Sequence, residues 1–147
     1  MKYAIGCDPN AKQLKELLIK DLKAAGHDVM DYGSDDAVYA NVAISVAESV
    51  VAGKHDKGVL ICGTGIGMSI AANKVKGAIA ALVSDSYSAE RARKSNNANI
   101  ICMGAFTLGE SVARNYLEIW DNADFDWETP SAPKVKRYMD YDQEGRI

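Results

Sequence analysis

The chain has 147 residues, 48% of them apolar and 25% charged, which reads as one globular domain spanning 1–147 and excludes a disordered or fibrous chain. Seventeen Lys and Arg against twenty Asp and Glu leave a net charge of −3, so no basic field exists to gather nucleic acid or acidic membrane. The longest apolar run, Ala78 to Val83, is six residues, against the roughly 20 needed to cross a bilayer.

The opening MKYAIGCD has no apolar stretch ahead of a cleavage site and reads as mature protein. Cys7, Cys62 and Cys102 are odd in number, widely spaced and without a C-x-x-C or paired-histidine pattern. That argues against a disulfide framework and against zinc, and points to a reducing cytoplasm.

Short β-rich runs alternate with longer helical ones. Tyr3 to Ile5 heads a first strand ending at Gly6-Cys-Asp8. Leu14, Leu17, Leu18 and Leu22 then recur at helical spacing, with Gly26 as a left-handed stop. His27 to Tyr32 reads as a second strand, Gly33 to Asp36 as a turn, and Val38 to Ala52 as a helix stopped by Gly53. Gly58 to Cys62 is nearly all apolar, as a strand covered on both faces must be, and runs into Gly63-Thr-Gly-Ile-Gly67 and a short helix through Ile70, Ala71 and Ala72. Ala78 to Val83 is the fourth strand, Ser86 to Lys94 a polar helix, and Asn99 to Met103 the fifth strand. Thr107-Leu-Gly-Glu110 matches a capping box for a helix reaching Trp120. From 121 to 147 an acidic, aromatic, proline-bearing stretch leads to Lys134, Lys136 and Arg137, read as a C-terminal extension.

Five strands separated by helices imply an α/β fold, a parallel sheet with helices on both faces, because each crossover is right-handed and must cover the sheet. Ligands of such sheets bind beyond the strand C-termini. That places Asp8, Cys62, Asp85 and Gly104 where chemistry is expected.

Gly63, Gly65 and Gly67 form a loop whose bare amides suit an oxyanion or phosphate, or equally a turn that needs glycine for packing. The loop lacks the Lys-Ser/Thr ending of a P-loop and the spacing of a dinucleotide fingerprint. Cys62 at its mouth is either a base or nucleophile, its thiolate favoured by converging amides, or a packed core thiol; Cys7 and Cys102 read as packers. Asp8 before Pro9 is either a helix cap or a carboxylate that holds sugar hydroxyls and shuttles a proton. Ser95-Asn-Asn-Ala-Asn99 reads as a helix-ending turn. His27 and His55, in turns beside charged residues, read as solvated.

The residues together resemble the type B ribose-5-phosphate isomerases and the related galactose-6-phosphate isomerase. The resemblance rests on Ile5-Gly-Cys-Asp8, Asp31-Tyr-Gly33, the segment Gly58 to Lys74, Tyr87-Ser-Ala89, Asn96 and Asn99, and covers nearly the whole chain. It implies a three-layer α/β/α sandwich, strand order 2-1-3-5-4, and a homodimer or homotetramer with shared active sites, the extension packing on or across the dimer. It implies aldose–ketose interconversion of a small phosphorylated sugar, of the ribose 5-phosphate/ribulose 5-phosphate type, through a cis-enediolate, without metal or organic cofactor. Cys62 then moves the proton between C1 and C2, and the amides of Gly63, Gly65 and Gly67 hold the enediolate oxygen. Thr64 and Asp8 bind hydroxyls, Tyr39 lines the sugar site, and Asn96 reaches in from a neighbouring subunit beside Ser95.

The chain departs from the family at Pro9 and Ser95, where histidines are usual, the second being the presumed acid for ring opening. It departs also at Phe106, where arginine is common, and at Thr129-Pro-Ser-Ala-Pro-Lys134, where Lys134, Lys136 and Arg137 are left to rebuild an anion site. These departures keep a second reading open: a non-catalytic sugar-phosphate binder, or one subunit of a heteromeric galactose-6-phosphate-type isomerase.

Overall fold

Lys2–Cys7 (β1), Asp28–Asp31 (β2), Lys57–Cys62 (β3), Ala80–Leu82 (β4) and Ile100–Gly104 (β5) pair in one all-parallel sheet of order β2-β1-β3-β5-β4. This computed structural model describes residues 1–144; positions 145–147 of the expected extension lie outside the described residues. The helices are Lys12–Ala24 (α1), Tyr39–Val51 (α2), Ile66–Ala72 (α3), Ser86–Lys94 (α4), Glu110–Asp121 (α5) and Ala132–Glu144 (α6), with a 3-10 turn at Pro9–Ala11 ahead of α1. The sheet order and the alternating elements are those expected.

Side chains alternate across a strand, and that sorts the core into two layers. Ile5, Cys7, Val59, Ile61, Ile101 and Met103 face Leu14, Leu18, Ala89, Leu117 and Trp120 of α1, α4 and α5. Ala4, Leu60, Cys62, Ile100 and Cys102 face Ala43, Val46, Val50, Met68 and Ala72 of α2 and α3. β3 lies between β1 and β5 and is buried along its whole length, which is why it reads as a continuous apolar run.

Three expectations need correction. β4 is only Ala80–Leu82, because Ala78 N–H turns back to the Val75 carbonyl at 3.0 Å before the strand begins. Thr107 forms no capping box: its hydroxyl donates to the Gly104 carbonyl at 3.2 Å, Gly109 occupies the cap, and Glu110 accepts from the Gln13 amide at 3.0 Å. His27 is not solvated. Its Nε2 meets Asp121 Oδ2 at 2.8 Å with both side chains largely covered, and Asp121 also accepts from the Tyr3 hydroxyl. Burial, reinforced by that carboxylate, pushes the Tyr3 phenol well above its usual range.

Beyond α5 the chain folds back on itself. Tyr138 donates to the Asn96 carbonyl, Asp142 accepts from Gly77 N–H at 2.6 Å, and Lys76 Nζ reaches the Gln143 carbonyl at 3.0 Å. Val135 of α6 is fully buried. The basic stretch is therefore helical, and it is anchored on the turns that precede β4 and β5.

Candidate active site

At the C-terminal edge of the sheet, β3 ends on Cys62 and the chain enters the loop 63–67. Hydrogen bonds from the neighbouring segment fix this loop: Ala105 N–H donates to the Cys62 carbonyl at 2.8 Å and Phe106 N–H to the Gly63 carbonyl at 2.9 Å. Gly65 adopts φ +79°, a left-handed conformation, and a β-carbon there would lie 2.9 Å from the Met103 carbonyl carbon, so only glycine fits. The turn folds Gly65 N–H back onto Cys62 Sγ, 3.1 Å away.

That contact alters one expectation. Of the three glycine amides expected to hold an enediolate oxygen, the one at Gly65 is committed to sulfur. Gly67 stands in the first turn of α3, where helix geometry leaves N–H groups without intrahelical partners. Thr64 Oγ1 accepts from Ile66 N–H at 3.3 Å, which leaves the hydroxyl hydrogen free to point outward.

Cys62 is 4% exposed and belongs to the layer of α2 and α3, yet its sulfur points at the loop amide. The other two thiols differ. Burial pushes Cys7 up to about 12, and burial together with the neighbouring Cys62 pushes Cys102 up as well. Both pack in the core, as expected, and neither has a hydrogen bond to its sulfur among the described residues.

Asp8 is the extended residue after β1, and strand alternation puts its side chain on the Cys62 side of the sheet, opposite to Cys7. Both readings of Asp8 hold in part: Oδ1 caps the 3-10 turn by accepting Asn10 N–H at 2.9 Å, while Oδ2 has no partner among the described residues. Tyr39, the first residue of α2, lays its phenol over the loop so closely that a β-carbon on Gly67 would sit 1.9 Å from the hydroxyl. Asp85 lies on the same edge but caps α4, accepting Ser88 N–H and Oγ–H at 2.7 Å each, and those bonds hold its carboxyl below the usual range.

The remaining expected site residues gather elsewhere. Ser95 and Asn96 end α4 just before β5 begins, at the N-terminal edge of the sheet. They are separated from the thiol edge by the length of β5, about 16 Å. Lys134 and Arg137 lie on α6, whose Tyr138 is bonded to Asn96, so they belong to that edge too. Both are exposed; Arg137 meets Glu144 at 3.4 Å and stacks on Tyr141. Asp8, Tyr39 and Cys62 to Gly67 converge; Ser95, Asn96, Lys134 and Arg137 form a second group at the far edge of the same chain.

Sequence reading missed the apolar frame around the thiol loop. The Phe106 ring, 72% exposed, lies over Gly63, and Leu82 lies under Gly65. Exposed Val38, Ile66, Ile70 and Tyr87 extend the rim. The available signal was apolar residues placed where strands and helices meet a glycine loop. A cleft of about 620 Å³ between α1 and α5 is not part of this chemistry, because its His27–Asp121 and Arg114–Asp21 pairs satisfy each other at the opposite edge.

Among known protein families, the one described as Ribose/Galactose Isomerase matches residues 3–138. The chain belongs to the ribose/galactose isomerase family. It is 46% identical to the ribose-5-P isomerase B of Listeria innocua, covering 99% of this chain and all of that one. It is 43% identical to the D-erythrulose-4-phosphate isomerase of Pectobacterium atrosepticum, over 98% of this chain and 97% of the other. The fold superposes on Clostridium thermocellum ribose-5-phosphate isomerase B with a TM-score of 0.92 and 36% identity, over 98% and 99% of the two chains. Family membership makes this protein a sugar-phosphate isomerase that interconverts aldoses and ketoses. Among the described residues no helix is long and apolar enough to cross a membrane.

Proposed function

We propose that the chain interconverts the C1 aldehyde and C2 ketone of a small phosphorylated sugar, of the ribose 5-phosphate/ribulose 5-phosphate type, with Cys62 as the base. One observation carries this reading: the Cys62 sulfur accepts the Gly65 N–H of the glycine loop at 3.1 Å, while the Cys7 and Cys102 sulfurs face only packing. The thiolate takes the hydrogen from C2 of the aldehyde, the C–H pair becomes the C1–C2 double bond, and the carbonyl oxygen becomes the enediolate oxygen. Asp8 Oδ2 and Thr64 Oγ–H move the hydroxyl proton from O2 to O1, and the Cys62 thiol returns its proton to C1. Amides of Gly63 and Gly67 hold the developing charge, a preorganised effect of about 3 kcal/mol per donor, and Tyr39 walls the sugar side.

The far-edge group completes the site from a second copy of the chain. Ser95 and Asn96 bind the sugar, while Lys134 and Arg137 bind phosphate. The split of the two groups across opposite edges and the apolar rim of Phe106, Leu82, Ile66 and Ile70 favour such a homodimer or homotetramer. Three unpaired cysteines suit a reducing cytoplasm.

A coupled assay over tetrose, pentose and hexose phosphates, beside the unphosphorylated sugars, tests the reading. Turnover of at least one phosphate ester is expected. Silence across the panel, with activity appearing only on addition of a second related chain, would favour the heteromeric-subunit reading, which Pro9 and Ser95 in place of histidines support.

A further inference from the structure

A serine in a helix or at its end ordinarily turns its hydroxyl back onto the carbonyl four residues earlier. For Ser95, the C-cap of α4, that carbonyl belongs to Arg91, and it is already full. It accepts the Ser95 N–H at 3.0 Å and the Asn96 Nδ2–H at 2.9 Å, one for each of its lone pairs. The hydroxyl has no local acceptor to fold back onto.

The Arg91 side chain takes up the other side of that hydroxyl. Its guanidinium donates from Nη1 to Ser95 Oγ at 3.3 Å, so the oxygen is an acceptor and its own hydrogen is left for another partner. Among the described residues no acceptor takes that hydrogen. Nη2 is held by Glu90 Oε1 at 2.5 Å, and the guanidinium lies 5.5 Å from the centre of the Tyr87 ring, which together fix its plane. The Nε–H is covered and has no acceptor among the described residues. An unmet covered donor costs stability, so this placement is not one that folding alone would favour.

Ser95 is half-buried and Asn96 exposed. The turn therefore offers one donor, the Ser95 hydroxyl hydrogen, and one acceptor, Asn96 Oδ1, since the Nδ2 of that amide is engaged. A guanidinium bonded to a hydroxyl oxygen also polarises it, which strengthens the outward hydrogen as a donor.

We infer that Arg91 is a positioning residue of the isomerase site, one that aims the Ser95 hydroxyl hydrogen at an oxygen of the sugar bound at the thiol edge of a neighbouring copy. The inference rests on the reading above, in which Ser95 binds the sugar. Arg91 itself touches no substrate. Its contribution passes through Ser95, and that separates it from a cation that attracts the phosphate directly.

The test is a double-variant cycle on the purified full chain, Arg91→Met, Ser95→Ala and the two together, with D-ribose 5-phosphate or whichever ester of the panel above turns over fastest. Each single change is expected to raise KM about 10-fold with kcat within about 2-fold, the pattern of a lost binding hydrogen bond. Together they are expected to do no more than either alone, because the second change removes a contact already gone. Urea midpoints are expected to stay at the wild-type value, since the guanidinium is 37% exposed and its pair with Glu90 is a surface one. Losses that multiply to about 100-fold in the double variant would overturn the inference, for Arg91 would then act on substrate or fold without Ser95. So would Arg91→Met at the wild-type KM, or a urea midpoint that falls along with the change in KM. Each of those outcomes leaves wild-type turnover, and with it the isomerase reading, intact. A wild type silent on every ester of the panel overturns both.

Discussion

The two edges of the sheet are made by the same five strands, yet they do different work. At the C-terminal edge the polar groups are few, turned toward one loop and framed by exposed apolar side chains: Cys62, Asp8, Thr64 and Tyr39, with Phe106 and Leu82 around them. At the N-terminal edge the groups around Asp121 satisfy one another: His27 with Asp121, Tyr3 with Asp121, and Lys57 Nζ with the Asp121 carbonyl at 3.2 Å, while Lys134 and Arg137 of α6 stand exposed outside that network. A polar network that closes on itself holds a fold together. One left with open valences beside an apolar rim is available to a ligand or a second chain.

If the far-edge cations of one chain serve the thiol of another, mixing defective chains is the sharpest way to break the comparison. Cys62→Ala and Arg137→Glu are each expected to lower kcat/KM about 1,000-fold, within the range of a lost catalytic base. Co-refolded in equal amounts, they are expected to recover about a quarter of wild-type activity, because half the dimers are mixed and each mixed dimer has one intact site. No recovery in co-refolded mixtures would place both groups in one chain's site, against the geometry.

Next in size is Gly67→Ala. Its β-carbon displaces the flexible end of Tyr39, so thermal unfolding should hardly change while activity falls about 10- to 100-fold through misplacement of the sugar wall. An active variant would remove Tyr39 from the site. Gly65→Ala differs, because the clash is with backbone at 2.9 Å and φ is +79°. A loss of about 1–3 kcal/mol in urea unfolding is expected there, together with loss of activity.

The smallest effect contrasts buried with solvent-facing groups. Cys7, Cys102 and Tyr3 hold their protons more tightly in the folded chain than in the unfolded one. Their stabilisation is complete at neutral pH and declines as pH rises above about 9 for the thiols and about 10 for the phenol, by up to about 1.4 kcal/mol per pH unit for each group. Lys57, pushed down by burial with Arg93 adding to the effect, works in the opposite sense, since the unfolded chain retains a proton that the folded one releases. Urea midpoints are expected to fall between pH 8.5 and 10.5, with Cys102→Ala flattening the first part and Tyr3→Phe the second. A flat profile in the wild type would mean that these groups are not buried as described.

Much of the fold was legible because burial sets the pattern: β3, covered on both faces, reads as a continuous apolar run, and α1 shows its 3.6-residue stripe. The failures have local causes. Thr107 spends its hydroxyl on Gly104 one turn too early to cap α5, and the Thr-to-Glu spacing does not reveal that competition. His27 lost its expected solvent to Asp121, ninety-four residues away, which no local pattern could announce. The candidate site was half legible. Strand ends predict which residues meet at an edge, so Asp8 and Cys62 were found together, but the Gly65 amide turning onto the sulfur depends on a left-handed turn that glycine permits without requiring.

The account stands on the Cys62 sulfur removing a hydrogen from carbon, and isotope exchange reads that step without any coupled enzyme. Incubated in D2O, wild-type protein should wash deuterium into C1 and C2 of its substrate, seen as loss of those proton signals. Cys62→Ala, folded and still binding the sugar phosphate, should leave the signals untouched. Exchange by Cys62→Ala at the wild-type rate would contradict the account and move the base to another residue.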